Sequence, residues 1–347
     1  MKKVCVLGAG LVAGPLVEYL LSFDDLQLKV ADIEVEKARQ LVKDHPRGQA
    51  FELDLKNRQA LTELIAGVEV VVSMVPYTFH PYVAGICLDL GKHLVTASYV
   101  SQEMKALDQK AKEKNLIFLN ELGLDPGIDH MEAMRMISRT RAEAGRVISF
   151  ISYCGGLPAP ENNDNPFGYK FSWSPRGVLL AGRNEARYLQ DGQEVVVPAE
   201  ELFAHYKMVD IPGLGTFEGY PNRNSVSYVE IYGLQGVKTM LRGTLRYPGW
   251  CPRLKKIVEL GLLEIEEREW QSKTYAEFLG EYLGLSGSGD LKEKVAARLK
   301  LSPDSEIIQS FDWLGLFSDR RLPAQKISPL DLLVALMVDK LKYKEGE

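Results

Sequence analysis

Histidine and cysteine are scarce in this chain: 347 residues hold 5 of the first and 4 of the second. Cys5, Cys87, Cys154 and Cys251 are far apart and form no C-x-x-C pair. That argues against a disulfide framework and a thiolate metal knuckle, and predicts reduced thiols in a cytoplasmic protein. The histidines show no ligand spacing, so no metal is expected. Long apolar runs are also missing. Nothing approaches the roughly 18 residues a membrane helix needs. The start, MKKVCVLGAG, runs straight into glycines without a small-residue cleavage site, and reads as a strand rather than a signal peptide. Positive charge is not in excess either. Lys and Arg number 42 against 47 Asp and Glu, a net charge of −5. No stretch concentrates basic residues without acids, which excludes a nucleic-acid partner.

What is present is ordinary globular material, 46% hydrophobic and 26% charged. The length suggests two domains, because single cores usually split beyond about 250–300 residues. Residues 1–126 alternate strand and helix signals. KVCVLGAG, LQLKVAD, QAFELDL, VEVVVSMVP, KHLVTASYV and LIFLNELGLDPG read as strands. LVAGPLVEYLLSF, EVEKARQLVKDH, KNRQALTELIAG, PYVAGICLDLG and SQEMKALDQKAKEKN read as helices between them. This alternation predicts an α/β domain, a Rossmann-type doubly wound parallel sheet.

Residues 127–347 read differently. VISFISYC, GQEVVVPAE, SVSYVEIYGL and KTMLRGTLRY look like short strands without intervening helices. They predict a mixed-sheet α+β domain. From Pro252 on, five helical segments follow, with GLSGSGD (284–290) as a flexible connector. No repeat or low-complexity tract is visible.

The first glycines carry the chemistry. Gly8-Ala9-Gly10-Leu11-Val12-Ala13 matches G-x-G-x-x-G/A between a predicted strand and a predicted helix. Gly8 permits the tight turn, Gly10 lets a pyrophosphate approach the backbone, and Ala13 packs helix on strand. The helix N-terminus offers free N–H groups to the phosphates. A glycine-rich turn in another α/β fold is the bland alternative. Asp32 favours the dinucleotide, since an acid at the end of the second strand binds the ribose diol. It would repel a 2′-phosphate and so argues for NAD over NADP. Arg39 fits a solvated helix face. Asp54, followed by Leu55, either meets the adenine or caps the next helix. Ligands in such sheets bind beyond the carboxyl strand ends. Here these are Val75-Pro76-Tyr77, Ala97-Ser98-Tyr99 and Leu124-Asp125-Pro126. Turn chemistry alone also explains such residues.

Several longer segments then carry a family likeness: VPYTFHPYV, LVTASYVS, NELGLDPGIDH, SYCGGLPAPENNDNPFGYKFSWSPRGVLL, GYPNRNS and LRGTLRYPG. The chain resembles the saccharopine reductase family, the glutamate-forming saccharopine dehydrogenases. The resemblance runs from the first glycine loop to the last residue. It implies a Rossmann domain joined to a mixed-sheet domain, with substrate between them. It implies NAD or NADP as cofactor, and interconversion of saccharopine with glutamate and 2-aminoadipate 6-semialdehyde in lysine metabolism. It places Ser98, Tyr99, Asp125, Arg223, Thr244, Leu245 and Arg246 at the substrate, with Cys154 beside it. It sets Trp173 against the nicotinamide, and Val75, Pro76, Ser98, Leu124, Asp125 and Pro126 at the cofactor.

The residue types agree with that chemistry. Saccharopine has three carboxylates, and arginine pairs with carboxylates in bidentate fashion. Surface ion pairing is the commoner fate of an arginine. Asp125 could hold an ammonium or cap the following helix. Hydride leaves the carbon beside a secondary amine, water hydrolyses the imine, and a base accepts protons. Asp125, Cys154 and Tyr99 are the ionisable candidates. His80 and His130 fit structural roles better.

Family members usually continue beyond the final DKLKYKEGE, so this chain reads as lacking a C-terminal segment. That leaves two competing expectations: carboxynorspermidine dehydrogenase, or a dinucleotide-binding protein without catalysis. The partner is otherwise a small molecule, no membrane is involved, and a homodimer stays open. The stretch at 152–175 is expected to be an ordered loop. Its aromatics from Phe167 to Trp173 are expected to fold down as a cover.

Overall fold

The computed structural model describes residues 1–285, 287–344 and 346–347. They form two compact units, Met1–Met136 and Ile137–Glu347.

The first unit is built on a 6-stranded sheet: β1 (Lys2–Leu7), β2 (Leu26–Asp32), β3 (Gly48–Glu52), β4 (Val70–Ser73), β5 (His93–Thr96) and β6 (Phe118–Leu119). The spatial order is β3-β2-β1-β4-β5-β6, and every pair is parallel. The connecting helices are α1 (Ala13–Leu21), α2 (Val35–Val42), α3 (Arg58–Ala66), α4 (His80–Leu90), α5 (Gln102–Lys105) and α6 (Asp108–Glu113). Alternate residues of β1 enter different cores. Val4 and Val6 pack with Val17 and Val30, while Cys5 and Leu7 pack with Leu61 and Ile65. A strand buried on both faces reads as a continuous apolar run, as KVCVL does. This is the predicted doubly wound sheet, and its order reverses between β1 and β4.

Two expected elements differ. The helix expected over 101–115 is broken, because Leu107 N–H bonds Met104 O at 3.1 Å in a 3₁₀ turn. The break lets both Met104 and Leu107 reach the core. The sixth strand is only Phe118–Leu119. Beyond it the chain bonds irregularly to the end of β5, Glu121 N–H to Ser98 O and Leu122 N–H to Thr96 O. It then closes a tight turn, Gly123 N–H to Pro126 O at 2.8 Å.

Helix α7 (Ile128–Ala142) contributes residues to both units. The second unit holds a mixed sheet of β7 (Ser149–Cys154), β8 (Ala186–Gln190), β9 (Gln193–Val197), β10 (Lys207–Ile211), β11 (Gly215–Pro221) and β12 (Thr239–Arg246). Strand β12 is its hub. It pairs parallel with β7, and antiparallel with β11 and β8. Helices α8 (Pro175–Ala181), α9 (Tyr228–Ile231), α10 (Trp250–Glu259), α11 (Tyr275–Leu283), α12 (Leu291–Arg298), α13 (Glu306–Leu314) and α14 (Pro329–Lys340) complete it. A small ribbon pairs Arg268–Glu269 with Lys326–Ile327. The expected connector joins α11 to α12; its Ser286 lies outside the described residues.

SVSYVEIYGL is not a strand. Asn224 Oδ1 accepts the Val226 and Ser227 N–H groups, which turns the chain into α9. The aromatics at 167–171 are not a cover either. Phe167 and Tyr169 are 0% exposed and Phe171 is 5% exposed, all within the core of the second unit. The turn that delivers them is tied by Asn165, which accepts from Phe167 N–H and donates to Tyr169 O. Among the described residues no helix is long and apolar enough to cross a membrane.

Candidate functional site

The glycine loop follows the buried end of β1. Gly8 has φ +99°, and a Cβ there would lie 3.0 Å from the Met74 carbonyl carbon and oxygen. Only glycine suits both the dihedral and the approach. At Gly10 a Cβ would meet nothing within 4 Å, so the backbone faces open space. Leu11 and Val12 are exposed, whereas Ala13, the first residue of α1, is buried. The first turn of α1 has no side-chain cap and no acidic residue. Ala13 N–H bonds Gly10 O at 3.0 Å, and the partial positive charge of the helix start is open to an anion. These features fit a dinucleotide pyrophosphate.

Asp32 ties this loop to β2. One carboxylate oxygen accepts the Ala9 N–H at 2.7 Å, and the other accepts the Glu34 N–H at 2.9 Å. A carboxylate has about four lone-pair positions, so two remain for a ribose diol. Lys37 and Arg39 on α2 pair with Glu34 and Glu36 of the same segment. Asp54 does not cap α3. Its Oδ1 accepts the Lys56 N–H at 2.9 Å in a turn, and Asn57 makes the cap through Ala60 N–H. Leu55 leans against the core of the first unit.

The carboxyl ends of β4 and β5 are joined by His80. Its Nδ1 lies 2.9 Å from Ser73 Oγ, and its Nε2 lies 2.9 Å from both Thr96 Oγ1 and Ser98 Oγ. Burial pushes its pKa down to about 4, so the ring is neutral at physiological pH. Val75 and Pro76 follow β4 directly. Tyr99 donates its hydroxyl to Asp125 Oδ1 at 2.5 Å. Asp125 rides on the tight turn with Leu124, which is 61% exposed, and Pro126, which is buried. Gly127 closes that turn with φ +151°; a Cβ there would lie 2.0 Å from Gly123 O. In the first unit, then, Asp32 and the Met74–Val75 backbone lie against the glycine loop, while Ser98 and Tyr99 follow β5 and Asp125 follows β6.

In the second unit the sheet register sorts the rest. Cys154 pairs with Thr244, which pairs with Tyr220; Arg246 pairs with Glu218. Register and alternation put Cys154, Thr244, Arg246, Tyr220 and Glu218 on one face. Leu245 is on the opposite face. Arg246 is 6% exposed, with its guanidinium carbon 4.7 Å from the Tyr169 ring centre and 5.5 Å from that of Trp250. One terminal nitrogen donates to Leu245 O, while its buried Nε has no partner among the described residues. Arg223 is exposed in the turn after β11 at φ +50°, and its carbonyl accepts the Arg187 N–H. Trp173 is 41% exposed, and Gly177 leaves room for its ring.

Glu218 escaped the sequence reading. It is 2% exposed and accepts the Gly249 and Cys251 N–H groups at the start of α10. That carboxylate at a helix N-terminus anchors the aromatic stack under Arg246. Its signal was an acid between apolar residues in GTFEGYP. Burial pushes the Cys5 and Cys87 thiols up to about 12 and raises Cys251 further, beside Glu218. Such thiols are poor nucleophiles. Cys154 is less buried than these three. Among the described residues none of the four cysteines forms a disulfide. Among the described residues no group of three or more His, Cys, Asp or Glu side chains could hold a metal ion.

Residues 4–119 match the saccharopine dehydrogenase NADP binding domain, and residues 123–347 match the saccharopine dehydrogenase C-terminal domain. The chain is 40% identical to saccharopine dehydrogenase [NADP(+), L-glutamate-forming] of Saccharomyces cerevisiae over 355 aligned residues, covering 100% of this chain and 79% of that protein. It is 39% identical to the mitochondrial alpha-aminoadipic semialdehyde synthase of Rattus norvegicus, spanning 38% of that longer protein. The solved apo structure of the Saccharomyces cerevisiae L-Glu-forming enzyme matches with a TM-score of 0.85 at 38% identity, over 100% of this chain and 79% of that one. The chain belongs to the saccharopine dehydrogenase family.

Proposed function

We propose that the chain is a glutamate-forming saccharopine dehydrogenase that uses a nicotinamide dinucleotide. The observation that carries the substrate class is Arg246, a buried guanidinium with an unpartnered Nε on the face that holds Cys154 and Thr244. A buried cation whose donor has no partner suits a carboxylate ligand. The first unit fits the cofactor, through the open backbone at Gly10, the uncapped start of α1 and the free lone pairs of Asp32.

When bound, the nicotinamide supplies the hydride acceptor. The protein's own residues would orient the secondary amine and move its proton. Tyr99 and Asp125 are the pair suited to that transfer, and Cys154 is a further ionisable group. Asp32 supports NAD over NADP, because its carboxylate would repel a 2′-phosphate.

The test is reduction of NAD and of NADP with saccharopine as the electron donor. Turnover with release of glutamate is expected. Turnover of carboxynorspermidine alone, or dinucleotide binding without turnover, overturns the proposal.

A further inference from the structure

His80 is the most enclosed histidine at the strand ends, and the proposed chemistry leaves it unused. The ring is 3% exposed, and the hydroxyl residues Ser73 and Thr96 around it are each 1% exposed. Ser98 is the half-buried member of the group. The contacts form a chain from Ser73 through the ring to Ser98, and only its last hydroxyl lies toward the region where ligands of such sheets bind.

A neutral imidazole has one N–H and one lone pair. Nε2 faces two hydroxyl oxygens at 2.9 Å. One N–H can be shared between two acceptors, whereas one lone pair does not serve two O–H donors. That favours the proton on Nε2, with Ser73 donating to Nδ1. Thr96 Oγ1 also accepts the Ser98 backbone N–H at 3.2 Å, which pins the residue from its other side. Ser98 Oγ then accepts from the ring, and its own proton is free.

We propose that His80 is a positioning residue that holds the Ser98 hydroxyl as a donor toward a carboxylate or carbonyl oxygen of the bound ligand. This rests on the reading above, in which Ser98 meets dinucleotide or substrate. Two ligands offer that oxygen: the carboxamide of the nicotinamide, and a carboxylate of saccharopine. A hydroxyl held in one rotamer donates without first losing rotational freedom.

The experiment is a double-mutant cycle on the full chain with His80→Leu and Ser98→Ala. Two quantities are read, the Kd for NADH and NADPH by fluorescence titration and the KM for saccharopine. His80→Leu is expected to weaken one of them at least fivefold in the presence of Ser98. In the Ser98→Ala background the same change is expected to cost less than twofold. His80→Gln, which retains a donor near Nε2, is expected to restore part of the loss. The affected quantity identifies the ligand. Equal losses in both backgrounds, or no loss in either quantity, overturn the proposal and leave His80 a packing residue. If His80→Leu does not fold, His80→Gln and His80→Asn run the same cycle. If the wild-type chain does not oxidise saccharopine, the proposed activity fails, and the dinucleotide titration alone decides the role of His80.

Discussion

Tyr99 donates its hydroxyl to Asp125 across 2.5 Å, joining the segment after β5 to the turn after β6. A phenol on a carboxylate at this separation is a charge-assisted hydrogen bond. In the proposed reaction the two side chains would act as one proton-holding unit. Asp125→Asn removes the charge and keeps the shape, so kcat with saccharopine should fall about 100-fold or more, the scale of acid–base catalysis. Tyr99→Phe should cost roughly tenfold, and the double variant no more than Asp125→Asn alone, because groups that act together are not additive. Steady-state kinetics on folded variants checks this. A kcat for Asp125→Asn within threefold of wild type would remove the pair from the chemistry.

Asp32 has two duties, and a substitution separates them. Its carboxylate offers lone pairs to a ribose and also holds the Ala9 and Glu34 N–H groups. Asp32→Ser should therefore lower the ratio of kcat/KM for NAD over NADP by about tenfold. It should also cost stability by about 1–3 kcal/mol, since backbone donors lose a charged acceptor. Kinetics with both dinucleotides and a thermal melt give the two numbers. An unchanged ratio with a lowered melting temperature would leave Asp32 as a loop anchor alone.

The first unit was largely legible in the sequence. Its central strand β1 is buried on both faces along Val4–Leu7, so pattern and structure coincide there. The glycine loop and Asp32 sit where the motif requires. The limits came where non-local contacts decide. Tertiary demand on Met104 and Leu107 broke a helix that periodicity alone kept whole. In the second unit, a single Asn224 side chain turned an alternating segment into a helix. The aromatics of 167–171 looked like a ligand cover because they sit among glycines and prolines. Their burial depends on Trp250, about eighty residues later, whose ring centre lies 4.9 Å from that of Tyr169. Leu245 illustrates the register problem: it neighbours Arg246 in sequence but faces the other side of the sheet.

The stack on Arg246 gives a test of the substrate side. Tyr169 and Trp250 hold the guanidinium by its faces. Lysine keeps the charge but lacks the planar fork and the stacking. Arg246→Lys should raise the KM for saccharopine about tenfold or more and leave the dinucleotide Kd within twofold. It should lower stability by about 1–2 kcal/mol through the lost stacking. An unaltered KM in a folded variant would take Arg246 out of the substrate site.

His80 also predicts how the fold responds to acid. In the folded chain burial holds its pKa near about 4, against the ordinary value of 6.5. Above pH 6.5 the ring is neutral folded and unfolded, and nothing is lost. Between pH 6.5 and 4 the unfolded chain takes up a proton that the folded chain refuses. The unfolded state then binds more protons, so stability falls as pH falls, by at most about 3 kcal/mol. Below pH 4 both states are protonated and the loss levels off. A His80→Gln variant has no titrating group here. Urea unfolding at pH 7, 5.5 and 4.5 should show the stability advantage of wild type over the variant shrinking by about 2 kcal/mol across that range. Parallel pH curves for the two proteins would mean that the ring accepts its proton in the folded state as readily as in the unfolded one.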